Sequence, residues 1–353
     1  MSIQPTFFIL AGGRGERLWP LSTAIHPKPF LPLFEGKTLL EWTLERVQGL
    51  TTPDRIFIVT TEALRTLVQQ TLPDLPPAQI LCEPQARNTA AAMAWICGHL
   101  RQQAPQDIGV VLPADHLIRD VATFQTAIRT ACELAQTRRQ IVTLGIQPTR
   151  PATEYGYIAC GQTLVTTPIC AKAGIGFTEK PDEVTAKTYL NAGNFLWNAG
   201  IFIWRADVLE AQFRSHAPAF CPLIDVPETA SEHYSTVPAI AFDYAIMEPC
   251  ETFTVVEGTF DWDDVGSYPA LLRHLPCDAN HNRIQGDVRF TQATGCTVLT
   301  TIPNHTVIVA HATDLFVAQT PSTTVICPAS EAHRIAQWMP SEPPTPQTGE
   351  MNA

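Results

Sequence analysis

The chain contains 353 residues, with a formal net charge of −11, 45% hydrophobic residues and 16% charged residues. This length exceeds what one simple core usually contains, so we expect one large domain and a smaller one. The negative charge argues against a nucleic-acid-binding surface, and no apolar run is long enough to span a membrane. We therefore expect no nucleic-acid partner and no membrane partner.

The N-terminus and the cysteines both indicate a cytoplasmic protein. The sequence does not begin with a basic segment followed by an apolar core, so no signal peptide is predicted. The ten cysteines are scattered, without Cys-x-x-Cys pairs or histidines at metal-ligand spacing. We interpret them as reduced, mostly buried thiols rather than metal ligands or a disulfide framework.

The first predicted element is a buried strand over residues 7–10 that runs into a glycine-rich loop. Glycines let the backbone turn tightly, and their N–H groups can point together at an anion. Open α/β sheets bind phosphates at such a junction. The loop lacks the Gly-Lys-Ser/Thr ending of a P-loop, and Leu18 stands where the dinucleotide fingerprint requires a glycine. The glycines Gly12, Gly13 and Gly15 alone would favour a simple tight turn. The cations beside them, Arg14, Arg17 and Lys28, make phosphate binding the favoured interpretation.

Strands and helices alternate after this loop. Helical periodicity covers residues 38–47, 62–72, 88–100, 124–135 and 182–190, and short apolar runs cover residues 55–60, 79–82, 108–112, 141–146 and 253–256. This alternation predicts an α/β fold with a Rossmann-like, mostly parallel sheet and right-handed crossovers.

Polar residues follow two of these strands. Asp115 comes just after the strand at 108–112, and a carboxylate in that position lies at the edge of the sheet where ligands bind. The alternative is an ordinary turn or cap aspartate. The segment 83–92 follows the strand at 79–82. On local grounds a plain helix start, capped by Asn88 or Thr89, explains it as well as a ligand-binding segment does.

Three later stretches place polar groups where they need partners. Glu179 and Lys180 offer an acceptor and a cation side by side, although an exposed ion pair of little energetic value is the favoured local reading. Asn198 lies inside an apolar run, so it is either a buried structural amide or a ligand-binding amide. Residues 261–264 contain three carboxylates, and their mutual repulsion is costly unless a cation or solvent relieves it.

The pattern changes at residue 280. Short β-rich runs recur about every nine residues, which predicts a small β domain over residues 280–339 after a large α/β domain over residues 1–279. This spacing does not distinguish a β-helix from a meander or a barrel. Its aliphatic edges would allow two copies to pair as a homodimer. The proline-rich, polar segment 340–353 is predicted to be a disordered tail.

The motifs of residues 5–335 resemble, in their order, those of the sugar-nucleotide pyrophosphorylases (nucleotidylyltransferases). The forms of residues 11–22 and 27–31 look most like those of the mannose-1-phosphate guanylyltransferases. This resemblance implies transfer of GMP from GTP to α-D-mannose 1-phosphate, giving GDP-mannose and pyrophosphate, by Mg²⁺-assisted in-line attack on the α-phosphorus. It also implies that the small β domain is a short left-handed β-helix. Glu154 departs from the family, which often has glycine there, and we assign it no role.

The resemblance also assigns roles to single residues. Those implied for catalysis are Arg14, Lys28 and Lys180. Those implied for nucleotide binding are Ala11, Gly12, Gly13, Gly15, Glu83, Arg87, Asn88, Thr89, Pro113 and Ala114. Those implied for sugar binding are Gly156, Glu179, Asn198 and Asp243. Those implied to hold the Mg²⁺ ion are Asp115 and Asp264, the latter in preference to Asp261 and Asp263.

Two alternative functions remain open at this point. One is a related pyrophosphorylase that uses another base or sugar. The other is a non-catalytic regulatory subunit that binds a nucleotide sugar. Such a subunit would be expected to lack a metal-binding aspartate or the loop lysine, whereas Lys28, Asp115 and Asp264 are all present.

Overall fold

The computed structural model describes residues 3–13 and 15–339. The chain divides into two compact units, of which the first contains residues up to 12 and residues 38–263. The second contains residues 13–37 and residues from 264 onward. This division differs from the predicted boundary at 279/280, because residues 13–37 and 264–279 group with the C-terminal strands. Arg14 and the predicted tail 340–353 lie outside the described residues.

A nine-stranded sheet is the main element of the first unit, counted over the residues that the structure describes. Its strands are β1 (Thr6–Leu10), β2 (Ile56–Thr61), β3 (Ile80–Glu83), β4 (Ile108–Pro113), β5 (Val142–Ile146), β6 (Tyr157–Val165), β7 (Ala171–Thr178), β8 (Phe195–Arg205) and β9 (Phe253–Gly258). Their order in the sheet is β3-β2-β1-β4-β8-β5-β9-β7-β6. Only β7 and β8 of these strands run opposite to the rest, so the predicted mostly parallel α/β sheet is confirmed.

Helices connect the strands as the alternating pattern predicts. They are α1 (Leu39–Val47), α2 (Arg65–Thr71), α3 (Asn88–Gln103), α4 (Val121–Arg138), α5 (Glu183–Ala192), α6 (Ala206–His216), α7 (Cys221–Asp225) and α8 (Ala230–His233). The predicted cap at Thr38 is confirmed, because Thr38 and Glu41 form a reciprocal capping box at the start of α1. Helix α3 packs on α6 and α7, and its buried face joins a large apolar core with side chains of β1, β4 and β8.

The β6–β7 hairpin is the main element of this unit that the sequence pattern does not predict. Its residues are largely half-buried and lack a clean alternation of apolar and polar side chains. The two strands are antiparallel, with Tyr157 opposite Thr178. This register brings Gly156, just before β6, next to Glu179, just after β7.

The second unit contains short strands where the sequence predicts a β domain. They are β10 (Arg283–Gln285), β11 (Val288–Thr291), β12 (Thr297–Thr300), β13 (Val307–Ala310), β14 (Leu315–Gln319) and β15 (Thr324–Pro328). Strand β12 pairs in parallel with β10 and β14, and β13 pairs in parallel with β11, whereas β15 is antiparallel to β14. Parallel pairing excludes a simple antiparallel meander for these strands. A β-helix-like winding stays a prediction.

Residues 13–37 are fixed within the second unit by side chains from its C-terminal part. Tyr268, at the start of α9 (Tyr268–Leu272), donates from its hydroxyl to the carbonyl oxygens of Leu18 at 3.0 Å and Trp19 at 3.1 Å. Gln285 Nε2 donates to the carbonyl oxygen of Pro32 at 3.2 Å. The loop therefore has a defined backbone path in this unit.

The membrane and cysteine predictions can be compared with the structure directly. Within the described part of the chain, no helix is both long and apolar enough to cross a membrane. All ten cysteines are free thiols, and six of them are buried, as the sequence predicts. Localisation in the cytoplasm stays a prediction.

We expect Gly98→Ala to destabilise the first unit. A Cβ atom at this position in α3 would lie 2.7 Å from the carbonyl oxygens of both Leu223 and Ile224 in α7, and backbone atoms cannot move aside cheaply. Overpacking should cost about 1–3 kcal/mol, although alanine favours a helix over glycine by about 1 kcal/mol. Thermal unfolding monitored by circular dichroism measures the effect.

Gly176→Ala is the matched control for this substitution. Its Cβ would meet nothing closer than the Cβ of Ala159 at 3.6 Å, an ordinary contact. A Gly98→Ala variant as stable as the wild type would contradict the described packing of α3 on α7.

Candidate functional site

The first part of the candidate site lies at the carboxyl ends of β1 and β4. These strands pair in parallel, with Leu10 opposite Pro113, and the N–H of Ala114 continues the pairing by donating to the carbonyl oxygen of Leu10 at 2.9 Å. Ala11 is fixed from the other side, because its carbonyl oxygen accepts from Thr60 Oγ1 at 3.0 Å. The structure thus brings together the predicted nucleotide-binding residues that follow these two strands.

Glu83 ends β3 and is a buried carboxyl group. Its Oε1 atom accepts a hydrogen bond from the Tyr234 hydroxyl at 2.9 Å. A Cβ atom placed on Gly12 would lie 3.8 Å from Glu83 Oε2, so the first glycine of the loop is its neighbour. Burial raises the pKa of Glu83 to about 7, although the Tyr234 hydrogen bond acts in the opposite direction. Glu83 can therefore gain or lose a proton near neutral pH.

The neighbouring segment 87–89 is fixed to residues 235–242. The guanidinium of Arg87 donates to the carbonyl oxygen of Ser235 at 2.8 Å, and Thr89 Oγ1 accepts from the N–H of Phe242 at 2.8 Å. Asn88 is exposed, has a φ of 61° and accepts from the N–H of Thr89 through its side chain. Helix α3 begins at Asn88, with Arg87 in the cap position and no side-chain cap, so the predicted cap by Asn88 or Thr89 is wrong.

Asp115 lies in a turn whose backbone is tied to α1. Thr43 Oγ1 donates to the carbonyl oxygen of Ala114 at 3.2 Å, and Arg46 Nη1 donates to the carbonyl oxygen of His116 at 3.1 Å. The ring of His116 also accepts from the indole N–H of Trp262 at 3.2 Å. The carbonyls on both sides of Asp115 are therefore fixed by side chains.

Asp261 has a structural role that separates it from the predicted metal ligands. Its Oδ1 atom accepts from the backbone N–H groups of Arg119 at 2.8 Å and Asp120 at 2.7 Å. These two hydrogen bonds give the first of the three clustered carboxylates a role in holding the backbone after the turn.

The predicted sugar-binding residues meet in one cluster. A Cβ atom on Gly156 would lie 2.6 Å from Glu179 Oε2, so a side chain at this position would displace the carboxylate. The N–H of Asn198 donates to the carbonyl oxygen of Gly156 at 2.8 Å, and its Nδ2 atom donates to Asp243 Oδ1 at 3.0 Å. Asn198 Oδ1 accepts from Thr143 Oγ1 at 3.2 Å, so Asn198 connects the cluster to the sheet.

Charge is concentrated in the same cluster. Burial, followed by the negative charge of Glu179, raises the pKa of Asp243 to about 7. Lys180 forms an ion pair with Glu179, whose side chain is only 7% exposed whereas that of Lys180 is 57% exposed. The alternative of a wholly exposed ion pair is therefore wrong for the carboxylate, and Lys180 retains access to solvent for an anionic ligand.

Glu154, the departure from the family pattern, is not simply directed to solvent. It pairs with Arg150 at 2.5 Å, and the guanidinium of Arg150 lies 5.3 Å from the ring centroid of Tyr155 and 5.5 Å from that of Trp197. Both distances are typical of cation–π contacts. Since Tyr155 and Trp197 directly precede Gly156 and Asn198 in the chain, the Glu154–Arg150 pair lies next to the sugar-binding cluster.

The second unit contains the remaining predicted residues. Gly15 has a φ of 61°, and a Cβ atom there would lie 2.8 Å from both Lys28 Cβ and Ser22 Oγ, so glycine is required. Lys28 is buried, and its Nζ atom donates to the carbonyl oxygen of Asp264 at 2.5 Å. Arg14, the predicted catalytic arginine, lies outside the described residues.

Arg17 is a further candidate site residue, to which the resemblance assigns no role. Its guanidinium lies 3.9 Å from Asp264 Oδ2, and its side chain is 61% exposed. A signal is present in the sequence, since Arg17 is one of the loop cations, but the resemblance assigns the catalytic role to Arg14. Within the second unit, Arg17 and Lys28 both lie against the predicted metal ligand.

Comparisons with known proteins identify the family of this chain. The family model described as nucleotidyl transferase matches residues 7–280. A mannose-1-phosphate guanylyltransferase of Sinorhizobium fredii is 36% identical over 294 residues, covering 79% of this chain and 57% of that protein. A mannose-1-phosphate guanylyltransferase of Salmonella montevideo is 35% identical over 306 residues, covering 82% of this chain and 64% of that protein. This chain thus spans less than two thirds of the length of either relative.

A solved structure extends the similarity to the whole fold. The structure described as mannose-1-phosphate geranyltransferase from Thermus thermophilus is 35% identical, with a TM-score of 0.85, and the match covers 95% of this chain and 98% of that chain. The similarity therefore includes the C-terminal strands as well as the large sheet.

We expect the raised pKa of Glu83 to appear as a pH-dependent stability. Its folded-state pKa is about 7, against an ordinary value of 4.5, so the folded state binds a proton more tightly than the unfolded chain. This stabilisation is complete below the ordinary pKa and is lost as the pH rises through the folded pKa. As the pH rises from the ordinary pKa to above the folded-state pKa, the free energy of unfolding of the wild type should fall by on the order of 3 kcal/mol relative to that of Glu83→Gln.

Differential scanning calorimetry of both proteins over this pH range measures the difference. Glu62→Gln is the control, because the pKa of the exposed Glu62 is lowered by its hydrogen bond from Arg65, and its removal should not reproduce the trend. A difference between wild type and Glu83→Gln that does not change with pH would contradict the burial of this carboxyl group.

Proposed function

Since the chain belongs to the nucleotidyl transferase family, we propose that it transfers GMP from GTP to α-D-mannose 1-phosphate, giving GDP-mannose and pyrophosphate. The observation that carries this proposal is the cluster of Gly156, Glu179, Lys180, Asn198 and Asp243. It combines hydrogen-bonding groups suited to sugar hydroxyls with an accessible cation suited to a phosphate. The names of both curated relatives specify mannose 1-phosphate and transfer of a guanylyl group.

The reaction requires little covalent chemistry from the protein. The sugar phosphate is already an anionic nucleophile, so no general base is needed. The barrier arises from bringing two polyanions together and from the charge on the α-phosphate and the leaving pyrophosphate. Positioning and charge neutralisation therefore supply most of the rate enhancement. The accessible Lys180 would seat the sugar phosphate, while Arg14, Arg17 and Lys28 would neutralise the triphosphate during in-line attack.

Base selection is assigned to Glu83 and to residues 87–89. A pocket that presents matched donors and acceptors leaves polar groups unpaired when the wrong base enters, and this gives strong discrimination. Glu83 is buried beside Gly12 and can act as donor or acceptor near neutral pH. These properties suit the recognition of an uncharged base edge.

A divalent cation fits the donor set that the sequence assigns to it. Asp115 and Asp264 are the proposed ligands, and a site made only of oxygen donors from few protein groups suits Mg²⁺. Among the residues that the structure describes, no group of three or more histidine, cysteine or acidic side chains is arranged to bind a metal, so substrate phosphates would complete the coordination. When bound, the cation would stabilise charge on phosphate oxygens.

The two alternatives predict different behaviour. A related pyrophosphorylase would use another base or another sugar phosphate through the same cations. A regulatory subunit would bind a nucleotide sugar without turnover. Such a subunit would be expected to lack a metal-binding aspartate or the loop lysine, but the sequence keeps Lys28, Asp115 and Asp264, and Arg14 and Lys180 as well.

The proposal predicts pyrophosphate release with GTP and not with ATP, UTP or dTTP, when each is supplied with mannose 1-phosphate and Mg²⁺. A coupled pyrophosphate assay on the pure protein measures it, with EDTA as the metal-free control. Release with another base would overturn the assignment of the base-binding segment. Absence of release with any nucleotide or sugar phosphate would favour the regulatory subunit.

Asp264→Asn should lower kcat by about 10²–10³-fold, the usual effect of losing one group that stabilises transition-state charge. The fold should be unchanged, because the carbonyl oxygen of residue 264 still accepts from Lys28. Asp120→Asn is the control, since an amide oxygen can still cap α4 by accepting from the N–H of Thr123. Near-normal turnover by Asp264→Asn would remove this residue from the site.

A further inference from the structure

The turn over residues 113–116 depends on an arginine that no motif includes. We infer that Arg46 is a positioning residue, which holds this turn in the conformation that presents Asp115. The inference rests on the proposed function, because it assumes that Asp115 is a metal ligand.

Arg46 lies in α1 and is one of the largest fully buried side chains, with 1% exposure. Arginine is rarely buried completely, since an unpaired ion loses its hydration. Burial lowers the pKa of Arg46 to about 9, while the negative charges of Asp115 and Asp261 act in the opposite direction. The guanidinium is therefore still a cation at neutral pH, and the two carboxylates compensate its charge.

The hydrogen bonds of Arg46 converge on the turn. Nη1 donates to the carbonyl oxygen of His116 at 3.1 Å, and Nη2 donates to Thr43 Oγ1 at 2.6 Å. Thr43 Oγ1 in turn donates to the carbonyl oxygen of Ala114 at 3.2 Å. One guanidinium thus fixes, directly and through one hydroxyl, the carbonyls on both sides of Asp115.

Arg46 is itself held from several sides. Its guanidinium lies 5.7 Å from the ring centroid of Phe124, and its own carbonyl oxygen accepts from Gln125 Nε2 at 3.1 Å. The negative charge of Asp261 interacts with the guanidinium of Arg46, and its carboxylate also accepts from the backbone N–H groups just beyond the turn. These contacts leave little freedom for the side chain to move away from the turn.

One donor of Arg46 stays unsatisfied in this arrangement. Its Nε atom is buried and has no hydrogen-bond acceptor among the residues that the structure describes. Buried donors without partners are rare.

The alternative is that Arg46 only stabilises the core. A core role predicts that replacing Arg46 loosens the first unit as a whole. A positioning role predicts a change concentrated in the turn and in metal binding, because groups that orient a metal ligand typically contribute about 10–100-fold to metal affinity or activity.

The test compares Arg46→Lys with the wild type in three measurements. In protein free of metal and nucleotide, hydrogen exchange at the amides of residues 114–118 should become at least about tenfold faster, while the other buried amides of β1 and β4 keep their wild-type rates. Mn²⁺ affinity, titrated by electron paramagnetic resonance with GTP but no sugar phosphate, should fall about 10–100-fold. The KM for the sugar phosphate should not change.

Two further variants make the test decisive. Thr43→Val removes the hydroxyl that links Arg46 to the carbonyl oxygen of Ala114 and leaves the buried charge in place. It should also speed exchange in the turn and weaken Mn²⁺ binding, and it replaces Arg46→Lys in the test if that variant does not fold. Arg55→Lys is the matched control, because Arg55 pairs with Asp107 at 2.5 Å at the opposite end of β4; it should leave all three measurements near wild type.

Faster exchange spread evenly over the first unit, with Mn²⁺ affinity unchanged, would overturn the inference. Asp115→Asn separates this failure from failure of the proposed function. If Asp115→Asn leaves Mn²⁺ affinity unchanged, the assignment of Asp115 as a ligand is wrong, whatever Arg46 does. If Asp115→Asn weakens Mn²⁺ binding and neither Arg46→Lys nor Thr43→Val does, the positioning role alone is wrong.

Discussion

The parallel pairing of β1 with β2 and β4 determines where this protein can present its polar groups. Strands that run in one direction end at one edge, and the backbone beyond their ends is free to turn and carry side chains to a ligand. This arrangement fixes the positions of three candidate site residues. Four adjacent strands run in parallel, and the ends of three of them carry Ala11, Glu83 and Ala114. The apolar core under the sheet fixes the strands, and the strands fix the starting points of the loops.

Polar groups in this region are nearly all held by partners, and this limits their motion. Glu83 accepts from Tyr234, and Asp243 accepts from Asn198, so two carboxyl groups whose charged forms are penalised by burial have defined orientations. Gly156 contributes by having no side chain, since Glu179 occupies the space. The protein thus keeps its hydrogen-bonding groups in place before any ligand arrives, which reduces the entropy lost on binding.

The order of strands and helices is readable from the sequence because apolar runs and helical periods alternate clearly up to residue 146. The β6–β7 hairpin cannot be predicted in this way, because its half-buried residues show neither the two-residue period of a strand nor the period of a helix. The roles of Glu179 and Asn198 can be proposed only by resemblance, since their proximity depends on the register of that hairpin. Arg46 escapes sequence reasoning for a physical reason: a basic residue in the last turn of a helix is usually exposed, and only the packing of α1 reveals its burial.

The second unit is built from two stretches of chain that are far apart in sequence. Tyr268 and Gln285 bind carbonyl oxygens of the loop over residues 13–37, so this loop and the C-terminal strands are structurally one piece. A chimera that takes only the strands after residue 263 from a homologue would separate the loop from the side chains that shape it. Recombination that preserves the loop must exchange both stretches together, with crossover points at 12/13, 37/38 and 263/264.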